Sequence, residues 1–196
     1  MTRPVVVFDY DGTLVDTFAA KQAAYARAVA EALGLGAEHR LVLEASYART
    51  SGANRFAQLA ETAAELSRTV TEAQRGEFSR RFSIYNAESA DAMPEFPSAR
   101  RVLETLGARC DLVLTSGMPH TMLIEDATRR SLVAYFVRVD GGDKGQALDR
   151  LRAEGRRVAM LVGDTAHDEA VAVERGVPFY RVCSDADLAR LPEVVW

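Results

Sequence analysis

Val5-Val6-Val7-Phe8-Asp9-Tyr10-Asp11-Gly12-Thr13-Leu14-Val15-Asp16-Thr17 decides how the rest of the chain reads. Val5 to Phe8 is short, β-branched and apolar at every position, the pattern of a strand buried on both faces. Asp9 then stands at the carboxyl end of that strand, where open α/β sheets place their ligands. Asp9 and Asp11 are an i, i+2 pair and face the same side if the chain stays extended. Gly12 permits a sharp turn directly after them. Two carboxylates this close repel, and require a cation or a shared proton. Asp-Gly is also a common turn, so this stretch needs support from elsewhere in the chain.

The chain has 196 residues, 48% hydrophobic and 27% charged, enough for a substantial core and unlike a disordered chain. A net charge of −4 gives no electrostatic case for nucleic acid or an anionic membrane. No apolar run approaches the ~20 residues of a membrane helix. The N-terminal pattern, one Arg and a short strand broken by Asp9, is not that of a secretory signal. Cys110 and Cys183 form no metal-type or C-x-x-C spacing and read as buried free thiols of a reducing cytoplasm. Of the 24 Lys and Arg residues only Lys21 and Lys144 are lysines, so a lysine at a chemically useful place stands out.

Short apolar strands alternate with amphipathic helices, the pattern of a doubly wound α/β parallel sheet. The expected strands are Val5–Asp9, Asp111–Thr115, Tyr135–Val139, Val158–Gly163 and Phe179–Cys183. The alternation breaks once. Between Asp16 and Ala92 only helical stripes occur: Phe18, Tyr25, Val29 and Leu33 before Gly34; then Phe56, Leu59, Ala60, Ala63 and Leu66; then Phe78, Phe82 and Tyr85. Met93-Pro94-Glu95-Phe96-Pro97 is a stiff return crossing, with Pro97 suited to the first turn of a helix ending near Leu106. The expected organisation is a core of residues 1–15 and 93–196 carrying an inserted all-helical domain, residues 16–92.

Three further strand ends carry chemistry. Leu112-Val113-Leu114-Thr115-Ser116-Gly117 ends in hydroxyls and a glycine that can hold a phosphate oxygen. Ser116 is preferred over Thr115, a choice open by one residue. Gly141-Gly142-Asp143-Lys144-Gly145 places Lys144 near a helix N-terminus, where the macrodipole disfavours a cation and anionic neighbours would explain it. Met160-Leu161-Val162-Gly163-Asp164-Thr165-Ala166-His167-Asp168 ends in two carboxylates, although Asp164 could simply cap the next helix. His167 has no second His or Cys to make a metal site. In a parallel sheet all four ends meet at one edge. Four carboxylates there cannot all ionise without a dication, and an oxygen-only ligand set suits Mg²⁺.

This set resembles the haloacid dehalogenase superfamily, in its phosphatase branch with a helical cap. The matching motifs are Asp9-Tyr10-Asp11-Gly12-Thr13, Ser116, Lys144 and Gly163-Asp164-Thr165-Ala166-His167-Asp168, in the family's order and over nearly the whole chain. Leu14-Val15-Asp16-Thr17 and Gly176-Val177-Pro178 match as well. The resemblance implies a nucleophile at Asp9 forming an aspartyl-phosphate, and an acid and base at Asp11. It implies Mg²⁺ on Asp9, the Asp11 carbonyl and Asp164, with Asp168 acting through water or on Lys144. Phosphate would be held by Ser116, Gly117, Gly12 and Thr13, and its charge offset by Lys144. Gly145 departs from the proline that many relatives carry, whereas Asp11 argues against the dehalogenases themselves. The polar break Arg49-Thr50-Ser51-Gly52-Ala53-Asn54-Arg55 resembles the cap's specificity loop, with Arg49 and Arg55 able to meet a second anionic group. The expected activity is hydrolysis of a small phosphorylated metabolite. The alternatives are a phosphomutase on the same scaffold and a non-catalytic binding protein that kept the fold.

Overall fold

The computed structural model describes residues 3–51, 53–89 and 92–195; Gly52 of the polar break lies outside them. The chain forms two compact units, Met1–Asp16 with Glu95–Trp196, and Thr17–Pro94.

The first unit is built on five parallel strands: β1 (Val5–Asp9), β2 (Asp111–Ser116), β3 (Arg138–Gly141), β4 (Val158–Gly163) and β5 (Phe179–Arg181). Their order is β3-β2-β1-β4-β5, with β1 central and Val5 to Phe8 fully buried. That centrality is why every position of Val5 to Phe8 is apolar. Residues Val5 and Val7 face one side, where they pack with Val113 and Leu161 against Leu148 and Leu151 of α7 (Lys144–Ala153) and Val171 and Ala172 of α8 (Ala166–Glu174). On the unit's other helices, α5 (Ala99–Gly107) packs on β2 and on α9 (Asp185–Val194). The start of α5 is tied to α9 by the Ser98 N–H and hydroxyl, which donate to the Asp185 carboxylate at 2.8 and 3.0 Å. The remaining helix, α6 (His120–Arg129), follows β2 and packs on β3. The chain winds outward from β1 to β2 and β3, then crosses back to β4 and β5, so the winding reverses between β1 and β4. Ligands of doubly wound sheets bind at this switch, outside the carboxyl ends of the strands.

Three expectations shift. The third strand begins at Arg138, not Tyr135, because Val133–Tyr135 closes a single 3₁₀ turn and β3, an edge strand, pairs only with β2. The helix after Pro97 begins at Ala99, with Ser98 held on Asp185. Of the two cysteines, Cys110 is buried and Cys183 is exposed beyond β5, so only one is the buried thiol expected.

The second unit is all helical: α1 (Phe18–Leu33), α2 (Arg40–Thr50), α3 (Arg55–Glu65) and α4 (Glu72–Ser89). Its core is aromatic. Tyr25 meets Phe78 and Phe82 edge-on at ring-centroid distances of 5.5 and 5.8 Å, and Phe78 stacks on Phe82 at 5.6 Å. Helix α2 has no readable stripe because two of its four buried residues, Ser46 and Thr50, are polar. Their hydroxyls are satisfied inside: Ser46 Oγ meets Thr62 Oγ1 at 2.7 Å and Thr50 donates to the Ser46 carbonyl at 2.9 Å. Phe18 and Phe56 belong to the expected stripes yet stay partly exposed. Among the described residues no helix is long and apolar enough to cross a membrane.

Phe78 is fully buried among Tyr25 and Phe82, so Phe78→Ala should lower unfolding free energy by about 3–5 kcal/mol. Chemical denaturation followed by circular dichroism measures it; a loss below about 1 kcal/mol would mean that this cluster is not the packed centre of the helical unit.

Candidate active site

The site grows from the end of β1. Asp9 pairs in register with Thr115 of β2, and its carboxylate is almost wholly buried. After it the chain turns back on itself: the Tyr10 carbonyl accepts the Leu14 and Val15 N–H groups at 3.0 and 3.2 Å, and Gly12 N–H donates to the Val15 carbonyl at 2.8 Å. Gly12 holds φ +78°, and a Cβ there would overlap the Asp164 carboxylate. Glycine is required twice over, by the backbone conformation and by the approach of Asp164.

Lys144 is the first residue of α7, and its ammonium is buried between two carboxylates. Its Nζ lies 2.8 Å from Asp9 Oδ1 and donates to Asp168 Oδ1. Burial alone would lower the ammonium's pKa, but the attraction of Asp9 and Asp168 outweighs burial and holds it above the ordinary lysine value. The anionic neighbours that would explain a lysine at this helix N-terminus are therefore present.

Asp168 is fully buried and both its oxygens are engaged. Oδ1 takes the lysine, while Oδ2 accepts the Thr165 N–H at 3.1 Å and the Thr165 hydroxyl at 2.6 Å, and Thr165 Oγ1 caps the Asp168 N–H. This is a reciprocal capping box at the start of α8. The cap is thus Thr165, and Asp164 is left for other work. Oxygens of Asp9, Asp164 and Asp168 lie within 4.8 Å of one another, and Asp164 Oδ1 is buried without a hydrogen-bond partner. Burial raises the Asp164 pKa to about 6, with the Asp168 charge adding to the rise and Lys144 opposing it. Burial also drives Asp9 well above the ordinary carboxylate range, against the pull of Lys144.

Ser116 closes the other side. Its hydroxyl is 3.3 Å from Asp11 Oδ2 and accepts the Met118 N–H at 3.1 Å. Gly117 follows in the exposed turn. The hydroxyls of Thr13 and Thr115 are buried and without a partner in the structure. The structure therefore brings Asp9, Asp11, Gly12, Ser116, Lys144, Asp164 and Asp168 to one sheet edge. Gly145 lies beneath the Arg175 guanidinium, whose Nε donates to its carbonyl at 3.1 Å. His167 is exposed.

In the helical unit the two arginines are engaged with their own neighbours. Arg55 Nη1 donates to Ser83 Oγ at 2.9 Å and lies over the Phe82 ring, while Arg49 pairs with Glu65. A ligand anion at either would have to compete with these bonds. Sequence reasoning passed over three residues. Thr165 was readable as the first residue of a T-x-x-D capping box. Arg181, which donates to the Asp164 carbonyl at 3.0 Å, and Tyr10, whose phenol bonds Asp126, carry no sequence signal because their partners are distant in the chain.

A buried lysine held between carboxylates thus stands at the switch point of a doubly wound sheet, where such folds bind their ligands. The comparisons name the class. The model of the haloacid dehalogenase-like hydrolases matches residues 4–174, and the chain belongs to that family. Among solved structures, one described as a predicted phosphoglycolate phosphatase from Haemophilus somnus 129PT superposes with a TM-score of 0.75 at 19% identity, covering 100% of this chain and 99% of the other. A haloacid dehalogenase-like family hydrolase from Streptococcus pneumoniae gives 0.71 at 20% identity, over 95% and 89%. A hydrolase from Pseudomonas syringae gives 0.74 at 16% identity, over 96% and 90%. No curated protein matches the sequence significantly.

The raised Asp164 pKa carries a sign. The unfolded chain loses this proton near pH 4 and the metal-free folded chain near 6, so the group destabilises the fold progressively as pH rises between those values. Asp164→Asn removes that penalty. Its metal-free stability relative to the parent should therefore increase from pH 4 to pH 7 in urea unfolding; a difference independent of pH would contradict the burial argument.

Proposed function

We propose that this protein is a Mg²⁺-dependent phosphatase acting on small phosphate monoesters through an aspartyl-phosphate on Asp9. The observation that carries the reading is the convergence of Asp9, Asp164 and Asp168 around Lys144, three carboxylates against one ammonium at the mouth of the switch point.

The donor set fits Mg²⁺. It is all oxygen, and one buried carboxylate oxygen, Asp164 Oδ1, has no protein partner. Asp9, Asp164 and the Asp11 carbonyl would hold the ion; Asp168, with both oxygens occupied, serves instead to fix Lys144. When bound, the ion would supply positive charge that offsets the carboxylates and an incoming phosphate.

The chain's own residues then divide the work. Lys144 keeps Asp9 oriented and lowers the repulsion between its carboxylate and the phosphoryl oxygens. An Asp9 oxygen attacks phosphorus, a new P–O bond forms, and the ester P–O bond breaks. Asp11 protonates the departing oxygen, then takes a proton from the water that hydrolyses the acyl phosphate. The Ser116 hydroxyl and the Gly117 N–H hold the transferring group, aided by Thr13, whose buried hydroxyl has no other partner; the Gly12 N–H, foreseen in that role, is instead spent on the Val15 carbonyl. Thr115, which shares that property and sits in register with Asp9, is the alternative hydroxyl. Positioning and charge neutralisation are what phosphoryl transfer chiefly demands. To the helical unit, Thr17–Pro94, we assign the part of a cap that selects substrate, through the segment bearing Arg49 and Arg55.

Hydrolysis of p-nitrophenyl phosphate should require Mg²⁺, stop with a chelator, and fall at least about 10³-fold in Asp9→Asn with the fold intact. An active Asp9→Asn would overturn the mechanism. A panel of phosphorylated metabolites with and without a sugar bisphosphate separates hydrolysis from mutase chemistry, and no turnover on any member would favour a binding protein.

A further inference from the structure

Between the two carboxylates of the first motif stands a side chain that none of the chemistry above uses. Tyr10 is fully buried, and its hydroxyl donates to Asp126 Oδ2 at 2.6 Å across 116 positions of sequence. Asp126 lies on α6, where Arg130 bonds the same oxygen at 3.1 Å and Arg129 takes the other. The acceptor is thus also held by Arg129 at the end of its own helix and by Arg130 just after it.

The location gives this bond its consequence. The Tyr10 carbonyl organises the turn that follows Asp9, accepting the Leu14 and Val15 N–H groups, so the residue's backbone and ring are both pinned. Asp11 is its next neighbour. Helix α6 begins at His120, directly after the turn that carries Ser116 and Gly117. One bond from the Tyr10 ring to the body of α6 therefore spans the two turns that face each other as Ser116 Oγ and Asp11 Oδ2, 3.3 Å apart. We propose that Tyr10, through Asp126, is a positioning residue that sets the separation between the Asp9–Asp11 turn and the Ser116 turn. It never touches substrate. It holds Asp11 at the distance from the phosphoryl-binding hydroxyl that proton transfer to the leaving oxygen needs, and such transfer tolerates little displacement. The inference rests on the roles proposed above for Asp9, Asp11 and Ser116.

A buried phenol needs a hydrogen-bond partner whatever its role, so the test must separate catalysis from stability. Steady-state hydrolysis of p-nitrophenyl phosphate with Mg²⁺, together with thermal unfolding, is measured for the parent, Tyr10→Phe, Asp126→Ala, Asp126→Asn, the Tyr10→Phe/Asp126→Ala double variant and Asp9→Asn. Tyr10→Phe and Asp126→Ala should each lower kcat and kcat/KM together by about tenfold. The double variant should be no slower than the worse single one, and Asp126→Asn, which keeps an acceptor oxygen, should recover most of the loss. Losses that multiply in the double variant, or a fall in Tm with kcat unchanged, would overturn the proposal. Asp9→Asn separates the two levels: if it is inactive while Tyr10→Phe and Asp126→Ala turn over like the parent, only the positioning role fails. If Asp9→Asn is itself active, the catalytic reading beneath it fails.

Discussion

One ammonium holds this site together. Lys144 Nζ lies between Asp9 at the end of β1 and Asp168 in the first turn of α8, and all three groups are buried. Removing one member of such a set strands the others' charge in a poorly solvated place, at a cost of about 3–5 kcal/mol. The arrangement therefore ties three separate strand exits to one point. It also leaves an excess of negative charge, because Asp164 joins the same cluster without a cation of its own. Burial first, and the Asp168 charge after it, raise the Asp164 pKa, and a divalent ion of the kind proposed would offset the excess.

Topology delivers these groups. With β1 central and the winding reversed between β1 and β4, Asp9 and Asp164 emerge at neighbouring strand ends, and α7 brings Lys144 back across the sheet. Small residues clear the path. Gly12 makes room for the Asp164 carboxylate, and a side chain at Gly163 would collide with Asp168. The acid cluster can be this tight only because two glycines stand where any larger residue would push it apart.

How much of this could be read from the chain varies by element. The ends of β1 and β4 were legible because buried parallel strands are continuous apolar runs and each stops at a carboxylate. The all-helical segment was legible from the spacing of Tyr25, Val29, Phe78 and Phe82. Helix α2 was not, since Ser46 and Thr50 are buried with their hydroxyls satisfied, and a hydrophobic stripe is blind to that. The start of β3 was misplaced because the 3₁₀ turn at Val133–Tyr135 is as apolar as a strand. Within the site, residue types were readable but their partnerships were not. Arg55, foreseen as a substrate contact, also donates to Ser83 of α4, and Tyr10, unremarked inside the motif, reaches a partner on α6 that only folding supplies.

The claim on which the rest turns is that the acid cluster is a divalent-ion site completed by Asp164. Titration of the metal-free protein with Mn²⁺, which shares the oxygen preference of Mg²⁺, followed by electron paramagnetic resonance, measures it directly. The account predicts one ion bound per chain, displaced by Mg²⁺, with affinity reduced at least about tenfold in Asp164→Asn. Absence of binding to the parent, or equal affinity in Asp164→Asn, would contradict it.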